Sequence, residues 1–538
     1  MDRKTILAVA LCFLIFFGWQ KFYIEPNLQK SASLAQQQAT SSSTASQSAS
    51  EINSSGSQTQ TNPNLSADGS SSPTPQLPPQ TREVESQTGK VILSDSGDFL
   101  KGWNLKDYHQ GLGSDTATVD LSTVTQTNQQ LDLAFDDPEF AYLNKVQGSF
   151  TQVDHGALWT YEDSKVKIQR EFSPSTEGPY LNLKLITEFK GKRPNYAFVS
   201  IHSQKHEGKD PEEQDRQLVY WTNQSIERVP LKEQPSLKEI STSLKYIGAT
   251  SRYFILALVN QSPVEPKGLI QPLYTGATRL SMVYPMTSSS ITLPIKVYFG
   301  PKKLDLLKAV DPALDNTVDL GWFTIFAYPL LKLLKWIHSY IGNYGIAIVI
   351  LTLLLKIATY PLTYKSMKSM KEMAKLQPQL QKIREKYKDD KEALNREMLG
   401  VMKTHGYNPM AGCLPILIQM PIFFALNKIL YSSIELYHAP FALWIHDLSS
   451  KDPFYVTPIL LSATMFLQQK LTPNTAADPV QARMMQFMPL MFGFFMISLP
   501  AGLTVYMLTN AVASIVQQLV LNKKFDTHHV RPAATASR

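Results

Sequence analysis

The chain has 538 residues, a formal net charge of +7 and two cysteines, Cys12 and Cys413. So small a charge, with its basic residues gathered beside apolar runs, points to orientation in a membrane rather than to nucleic-acid binding. Two cysteines so far apart leave no disulfide framework and no zinc spacing.

The first apolar run, "TILAVALCFLIFFGW", follows Arg3 and Lys4 and ends in Trp19, Gln20, Lys21, Phe22 and Tyr23. It has no small-x-small cleavage site, and the run continues past Cys12, so neither a signal peptide nor a lipoprotein is expected. Residues 1–24 are predicted to be an uncleaved transmembrane anchor, with Arg3 and Lys4 in the cytoplasm. Residues 25–82 are Ser, Gln, Thr, Asn, Ala and Pro with hardly an aromatic. Such a segment buries too little apolar surface to offset the entropy of ordering and is expected to be a disordered tether.

From 83 to 300 short stretches alternate apolar and polar: "VKIQREF" (166–172), "LNLKLITEF" (181–189), "YAFVSIHS" (196–203) and "ITLPIKVYF" (291–299). This period predicts an antiparallel all-β domain. His109, His155, His202 and His206 show no metal spacing and are taken as surface or structural residues. Residues 301–344 contain "YPLLKLLKWIHSYIG", which places Lys332, Lys335 and Ser339 on one helical face. An amphipathic helix in the membrane interface is predicted, against the alternative of a helix packed on the β domain.

The spans follow. Residues 345–364 form transmembrane helix 2, long enough for ~30 Å of hydrocarbon. Within 409–521 the apolar runs 413–435, 453–470, 484–499 and 501–521 supply helices 3 to 6, the last two joined by "LPAG". With the anchor, six helices cross the membrane. Eleven Lys and Arg lie between Lys365 and Lys403, but only Lys451 lies between Leu436 and Asp452. The positive-inside rule then puts 365–408 in the cytoplasm and the β domain outside, in the periplasm. It also puts the basic tail, 522–538, in the cytoplasm. The basic loop itself reads as a helical hairpin: Leu376, Leu380, Ile383 and Tyr387 on one arm face Leu394, Met398, Val401 and His405 on the other, with Pro378 expected to kink the first arm.

Lys356 lies inside helix 2, where a charge costs at least ~2.5 kcal/mol. Thr352, Lys356, Thr359 and Thr363 fall at i, i+4, i+7 and i+11, a polar stripe down one side. Other spans contribute Gln419 and Asn427, Gln468 and Gln469, and Tyr506, Asn510 and Gln517 on one face of the last helix. The core of the spans contains no acidic residue, so Lys356 has no evident salt-bridge partner. A cationic, water-filled groove satisfies it. It would let the polar, often acidic flank of an inserting polypeptide pass while its apolar part leaves sideways into lipid. The alternative is that Lys356 snorkels and the Thr and Gln residues only join helices. Met367, Met370 and Met373, and the methionines at 484, 485, 488, 491 and 496, suit either adaptable apolar contact or gap filling. No Walker A, HExxH or GxSxG motif is found, and no histidine lies within a span, so no enzymatic activity, cofactor or metal is expected.

"NPMAGCLPILIQMPIFFAL" (408–426), "PFALWIHDLS" (440–449), "GNYG" (342–345) and "LPAGLTVYMLTN" (499–510) closely resemble the YidC/Oxa/Alb family of membrane protein insertases in its Gram-negative form. The motif resemblance covers about 301–524; the anchor, tether and β domain match in order and size. It implies a five-helix core whose hydrophilic groove opens to cytosol and lipid and is closed on the periplasmic side. It further implies a β-supersandwich periplasmic domain and insertion of nascent membrane proteins in the cell inner membrane, alone or beside the Sec translocon. Substrate helices would contact Met420, Phe423 and Tyr506. The cytoplasmic hairpin and tail would meet ribosomes or targeting factors. The family's groove charge is usually arginine, and Lys356 keeps the charge without the bidentate fork. Met507 stands where the family often has a second aromatic beside Tyr506. A solute transporter or channel with a midplane polar site is the competing reading; it would normally show internal repeats, and none is seen.

Overall fold

The computed structural model describes residues 80–527 except 97–98, 114, 126–130, 154–155, 205–214, 223–224, 232–234, 274–275, 322, 388–389, 405–413 and 473–478. The expected anchor (1–24), almost all of the tether, Cys12, Cys413, His155, His206, His405 and the tail beyond residue 527 lie outside these residues. The chain divides into two units, Met1–Pro63 and Asn64–Arg538; the architecture below is that of the second.

Strands occupy the alternating stretches: Val166–Pro174, Leu181–Phe189, Tyr196–Gln204 and Ser290–Pro301. Leu181–Phe189 buries every second residue, as expected of a strand with one face on a core. All described pairings of named strands are antiparallel, in sheets of three, nine and five strands. Leu183, Leu185, Leu256 and Leu258 of the nine-stranded sheet meet Val199, Ile201, Leu280 and Met282 of the five-stranded sheet in one core. Tyr196–Gln204 is buried on both faces, because Phe198 packs on its far side with Ala134, Leu269 and Val283. His202 is thus internal, 3.3 Å from Asp132, which also pairs with Arg279 at 3.2 Å. The other face of the nine-stranded sheet is covered by a short helix, α1 (Leu304–Val310), through Leu307 and Val310.

The helices follow in order: α2 (Thr324–Ile341), α3 (Tyr344–Lys386), α4 (Lys391–Thr404), α5 (Leu414–Ser432), α6 (Val456–Leu471), α7 (Pro479–Met496) and α8 (Ala501–Thr527). The apolar face of α2 (Ala327, Leu331, Leu334 and Ile337) packs on α3 and α5, while Ile325, Trp336 and Tyr340 are exposed. Lys335, on its polar face, pairs with Asp305 at 2.9 Å and Glu435 at 3.6 Å. No break separates the span expected over 345–364 from the first arm of the expected hairpin. One 43-residue helix covers both and contains Pro361 and Pro378. At 1.5 Å per residue it is about 65 Å long, roughly twice the hydrocarbon thickness, so its second half must project beyond the bilayer if its first half spans it. Leu376 and Leu380 are buried there. α8 packs on α3 and α6, and α6 on α7. By length and apolar character, Tyr344–Leu376 and Ala501–Lys523 are the two described helices that pass as membrane spans; Phe487–Met496 is a shorter apolar stretch.

The "GNYG" turn between α2 and α3 has a local cause at each position. Gly342 takes φ 71° and ends α2, donating its N–H to the His338 carbonyl at 2.7 Å. Asn343 caps α3 by accepting from the Ile346 N–H at 3.0 Å, and its amide donates to the Phe441 carbonyl at 2.9 Å. Tyr344 stacks on His338, with ring centroids 3.6 Å apart. Gly345 is pressed against Phe441: a Cβ there would lie 2.0 Å from Cδ2 and 2.6 Å from Cβ of that ring. Gly345→Ala therefore forces the loop between α5 and α6, which carries Phe441, to move, at about 1–3 kcal/mol. Thermal unfolding of the detergent-purified protein should show the loss, and adding Phe441→Ala should recover part of it.

Candidate functional site

Lys356 lies roughly 18 Å along α3 from Tyr344. Its ammonium donates to the Ser514 hydroxyl of α8 at 2.7 Å, and Ser514 donates to the Asn510 carbonyl at 2.7 Å. No carboxylate pairs with Lys356 among the described residues. One neutral acceptor leaves two of the three ammonium protons for other ligands.

The threonines of the stripe spend their donors on their own helix. Thr352, Thr359 and Thr363 donate to the carbonyls of Ile348, Leu355 and Thr359 at 2.7, 2.8 and 3.1 Å. Such back-bonding satisfies a hydroxyl inside an apolar helix and leaves its oxygen lone pairs available. Exposure changes along the stripe. Thr352 and Tyr506 are each 2% exposed; Lys356, Thr359, Thr363, Asn510 and Gln517 are half-buried. α3 and α8 run in the same direction here, since Lys371 donates to the Asn522 carbonyl at 3.3 Å farther along both. The polar seam between them is therefore shut near the helix N-termini and opens along their length.

A second tie joins α5 to α8: the Gln419 amide donates to the Tyr506 hydroxyl at 3.4 Å. Tyr506→Phe removes only this long bond and should cost about 0.5–1 kcal/mol. Tyr506→Ala empties a buried aromatic site and should cost about 3–5 kcal/mol. Unfolding midpoints of the two variants separate these roles. Met420 is 42% exposed, while Phe423 is partly buried in the helical core and edge-on to Phe424 at 5.6 Å. Asn427 is half-buried. Met420, Phe423 and Asn427 have no described hydrogen bond to the Lys356 group, and the buried Gln517 amide nitrogen has no partner among the described residues. The expected lining thus falls into two bonded groups, Lys356–Ser514–Asn510 and Gln419–Tyr506, with the rest along their flanks. Ser514 carries no sequence signal of its own beyond its place four residues after Asn510 on the same face.

The shut end of the seam is built by the loop between α5 and α6, called the outer loop for its predicted side of the membrane. Asp452 accepts from the Phe454 N–H (3.0 Å), the Thr457 N–H and hydroxyl (2.7 Å each) and the Trp444 indole N–H (3.1 Å). Thr457 meets Thr504 of α8 at 2.9 Å. Asp447 holds Ser449 and Ser450, and the "LPAG" turn is pinned by Ala501 and Gly502 N–H donors to the carbonyls of Ser450 and Leu448. His438, Leu443 and Tyr455, the non-glycine residues of positive φ among those described, all lie in this loop. Left-handed backbone at such residues persists only where surrounding contacts over-determine it. Burial raises the Asp452 carboxyl's pKa, but the hydrogen bonds from Thr457, Phe454 and Trp444 outweigh that, and the carboxyl is held below its ordinary value.

The sequence model of the 60Kd inner membrane protein family matches residues 336–528, and that of the YidC periplasmic domain matches 82–333. The membrane protein insertase YidC of Geobacter metallireducens is 33% identical over 97% of this chain and 98% of its own length. The membrane protein insertase YidC of Geotalea daltonii is 53% identical over 44% of each chain. A crystal structure of an active YidC insertase with its first transmembrane domain resolved aligns with 82% of this chain and 92% of its own, at 19% identity and a TM-score of 0.35.

Proposed function

Because the chain belongs to the YidC family of membrane protein insertases, we propose that it inserts nascent integral membrane proteins into the bacterial inner membrane, along a cationic groove centred on Lys356. The observation that carries the groove is the ammonium itself. It lies mid-helix in an apolar stretch, and its described partner is a neutral hydroxyl. A charge that costs ~2.5 kcal/mol or more in hydrocarbon is retained where water or a passing client solvates it.

Six helices span the membrane in this reading, with both termini cytoplasmic and a β-supersandwich in the periplasm. The shut end of the seam, under the outer loop, then faces the periplasm, and the half-buried stretch from Lys356 onward faces the cytoplasm. A client's acidic flank would enter from the cytoplasm, meet Lys356, and be held short of the far side by the outer loop. Its apolar segment would leave between α5 and α8 past Met420, Phe423 and Tyr506 into lipid, driven by apolar burial. Thr359, Thr363, Asn510 and Gln517 would line the wet part of the path, with Thr352, Gln419 and Asn427 at its closed edge. No nucleotide hydrolysis is needed. The long projecting arm of α3 and the basic α4 would receive nascent chains, ribosomes or targeting factors, and the Sec translocon would share some clients. The transporter alternative finds no support in the relatives described above, each named an insertase.

Purified protein in vesicles tests the reading. A small single-span client with an acidic tail should gain protease-protected product over empty vesicles without nucleotide. Uptake of small solutes with no gain in protected client would overturn it.

A further inference from the structure

Away from the seam, a cavity of about 90 Å³ lies where the β domain meets the last turn of α5. Four cations line it, Arg228, Arg252, Lys302 and Lys428, against two carboxylates, Asp215 and Asp319. Three of the cations are engaged. Lys428 pairs with Asp319 at 2.8 Å, Arg228 donates to the Asn316 carbonyl at 2.6 Å, and Arg252 donates to the Tyr431 carbonyl at 2.7 Å while stacking 3.6 Å from the Tyr431 ring. The Lys302 ammonium has no described hydrogen bond or salt bridge, and the formal balance of the described lining residues is +2. Buried charges are normally paired, and a cationic recess with one unclaimed ammonium is short of an anion.

We propose that this cavity binds a phosphate group, with Lys302 as its principal ligand. The volume holds a few waters or one tetrahedral oxyanion. The proposal rests on the membrane reading in one respect: Lys428 and Tyr431 end a helix read as a span, which sets the cavity at headgroup height on the periplasmic side. An anionic phospholipid headgroup is therefore the first source, and a free phosphate the second. Burial pushes the Lys302 ammonium down to about 7, with Lys428 and Arg228 pushing the same way and Asp319 and Asp215 opposing. Below about pH 7 the site carries its full charge, and it loses one positive charge as pH rises through that value.

Native mass spectrometry of the full-length protein from nanodiscs of phosphatidylglycerol or of phosphatidylcholine tests this, beside calorimetric titration with inorganic phosphate. The variants are Lys302→Met, an apolar replacement of similar length, and Lys302→Arg, which keeps the charge; unfolding midpoints confirm that both fold. Loss of one charge-assisted contact should weaken binding roughly tenfold to a hundredfold in Lys302→Met and spare Lys302→Arg. Wild-type retention of phosphatidylglycerol, whose diester charge is constant in this range, should weaken above pH 7, and that of Lys302→Arg should not. One phosphatidylglycerol retained by wild type and lost in Lys302→Met supports a lipid ligand. The same difference with inorganic phosphate alone supports a free anion. If neither probe distinguishes wild type from Lys302→Met, the cavity holds only water and the proposal fails. None of these readouts depends on client insertion, so the insertase reading stands or falls separately.

Discussion

Lys356→Glu abolishes insertion of a client with an acidic tail, Lys356→Ala reduces it about tenfold, and Lys356→Arg retains it, if the groove attracts its clients by charge. Two unit charges 4 Å apart are worth about 4 kcal/mol at an effective dielectric constant near 20. A wet groove and salt leave about a third of that, and about 1.4 kcal/mol is a factor of ten. The contact with Ser514 supplies a sharper variant. Ser514→Asp sets a carboxylate where a hydroxyl now lies 2.7 Å from the ammonium. It should pair with Lys356 and depress insertion as Lys356→Ala does, though the lysine is still present. Ser514→Ala, which leaves the charge free, should insert nearly as well as wild type. Protease protection of the client tail in cells depleted of their own insertase, with variant levels matched, reads all five. Full activity of both Lys356→Ala and Ser514→Asp would assign Lys356 to snorkelling and leave the groove's wetness to carry the function.

Asp452→Ala should cost about 2–5 kcal/mol, because each buried donor left without its acceptor costs about 1–3 kcal/mol. Asp452 is 1% exposed, and removing it strands the Thr457 N–H and the Trp444 indole together. It also releases the contact by which Thr457 holds Thr504 at the head of α8. Asp452→Asn keeps the shape but turns one acceptor into a donor against N–H groups, and should recover only part of the loss. The pH dependence has a definite sign. The folded-state pKa is depressed, so the contribution is fully present above the unfolded carboxyl value of about 3.9 and is lost as pH falls through the lower, folded value. The difference in unfolding midpoint between wild type and Asp452→Asn should thus stay constant from neutral pH down to about pH 5 and shrink only below about pH 4. A difference that narrows already between pH 7 and 6 would contradict the assignment.

The two sites differ in how far the chain announces them. Lys356 is conspicuous because one ammonium interrupts an apolar run, and its threonines repeat at helical spacing. Nothing local marks Asp452 as a hub: "HDLSSKDPF" reads as an ordinary polar loop. The quoted motifs "GNYG", "PFALWIHDLS" and the start of "LPAGLTVYMLTN" turn out to be parts of one corner. There Asn343 reaches the Phe441 carbonyl, Gly345 abuts the Phe441 ring, and Gly502 reaches the Leu448 carbonyl. Lys302 follows the last strand of the nine-stranded sheet and carries no sequence signal at all.

By itself the sequence determined the strands of the β domain, the apolar runs and their basic flanks, the stranded lysine and the family. Each of these is written in short-range periodicity or in contiguous motifs. Tertiary structure alone decided that Lys356 meets Ser514, 158 residues away, and that the stripe's threonines turn back on their own helix. It alone decided that one end of the seam is sealed by a carboxylate cluster, and that four cations from distant segments share one cavity. The physical reason is the same in each case. Burial and hydrogen-bond satisfaction depend on which distant groups arrive, and a local pattern records only which face of an element wants burial.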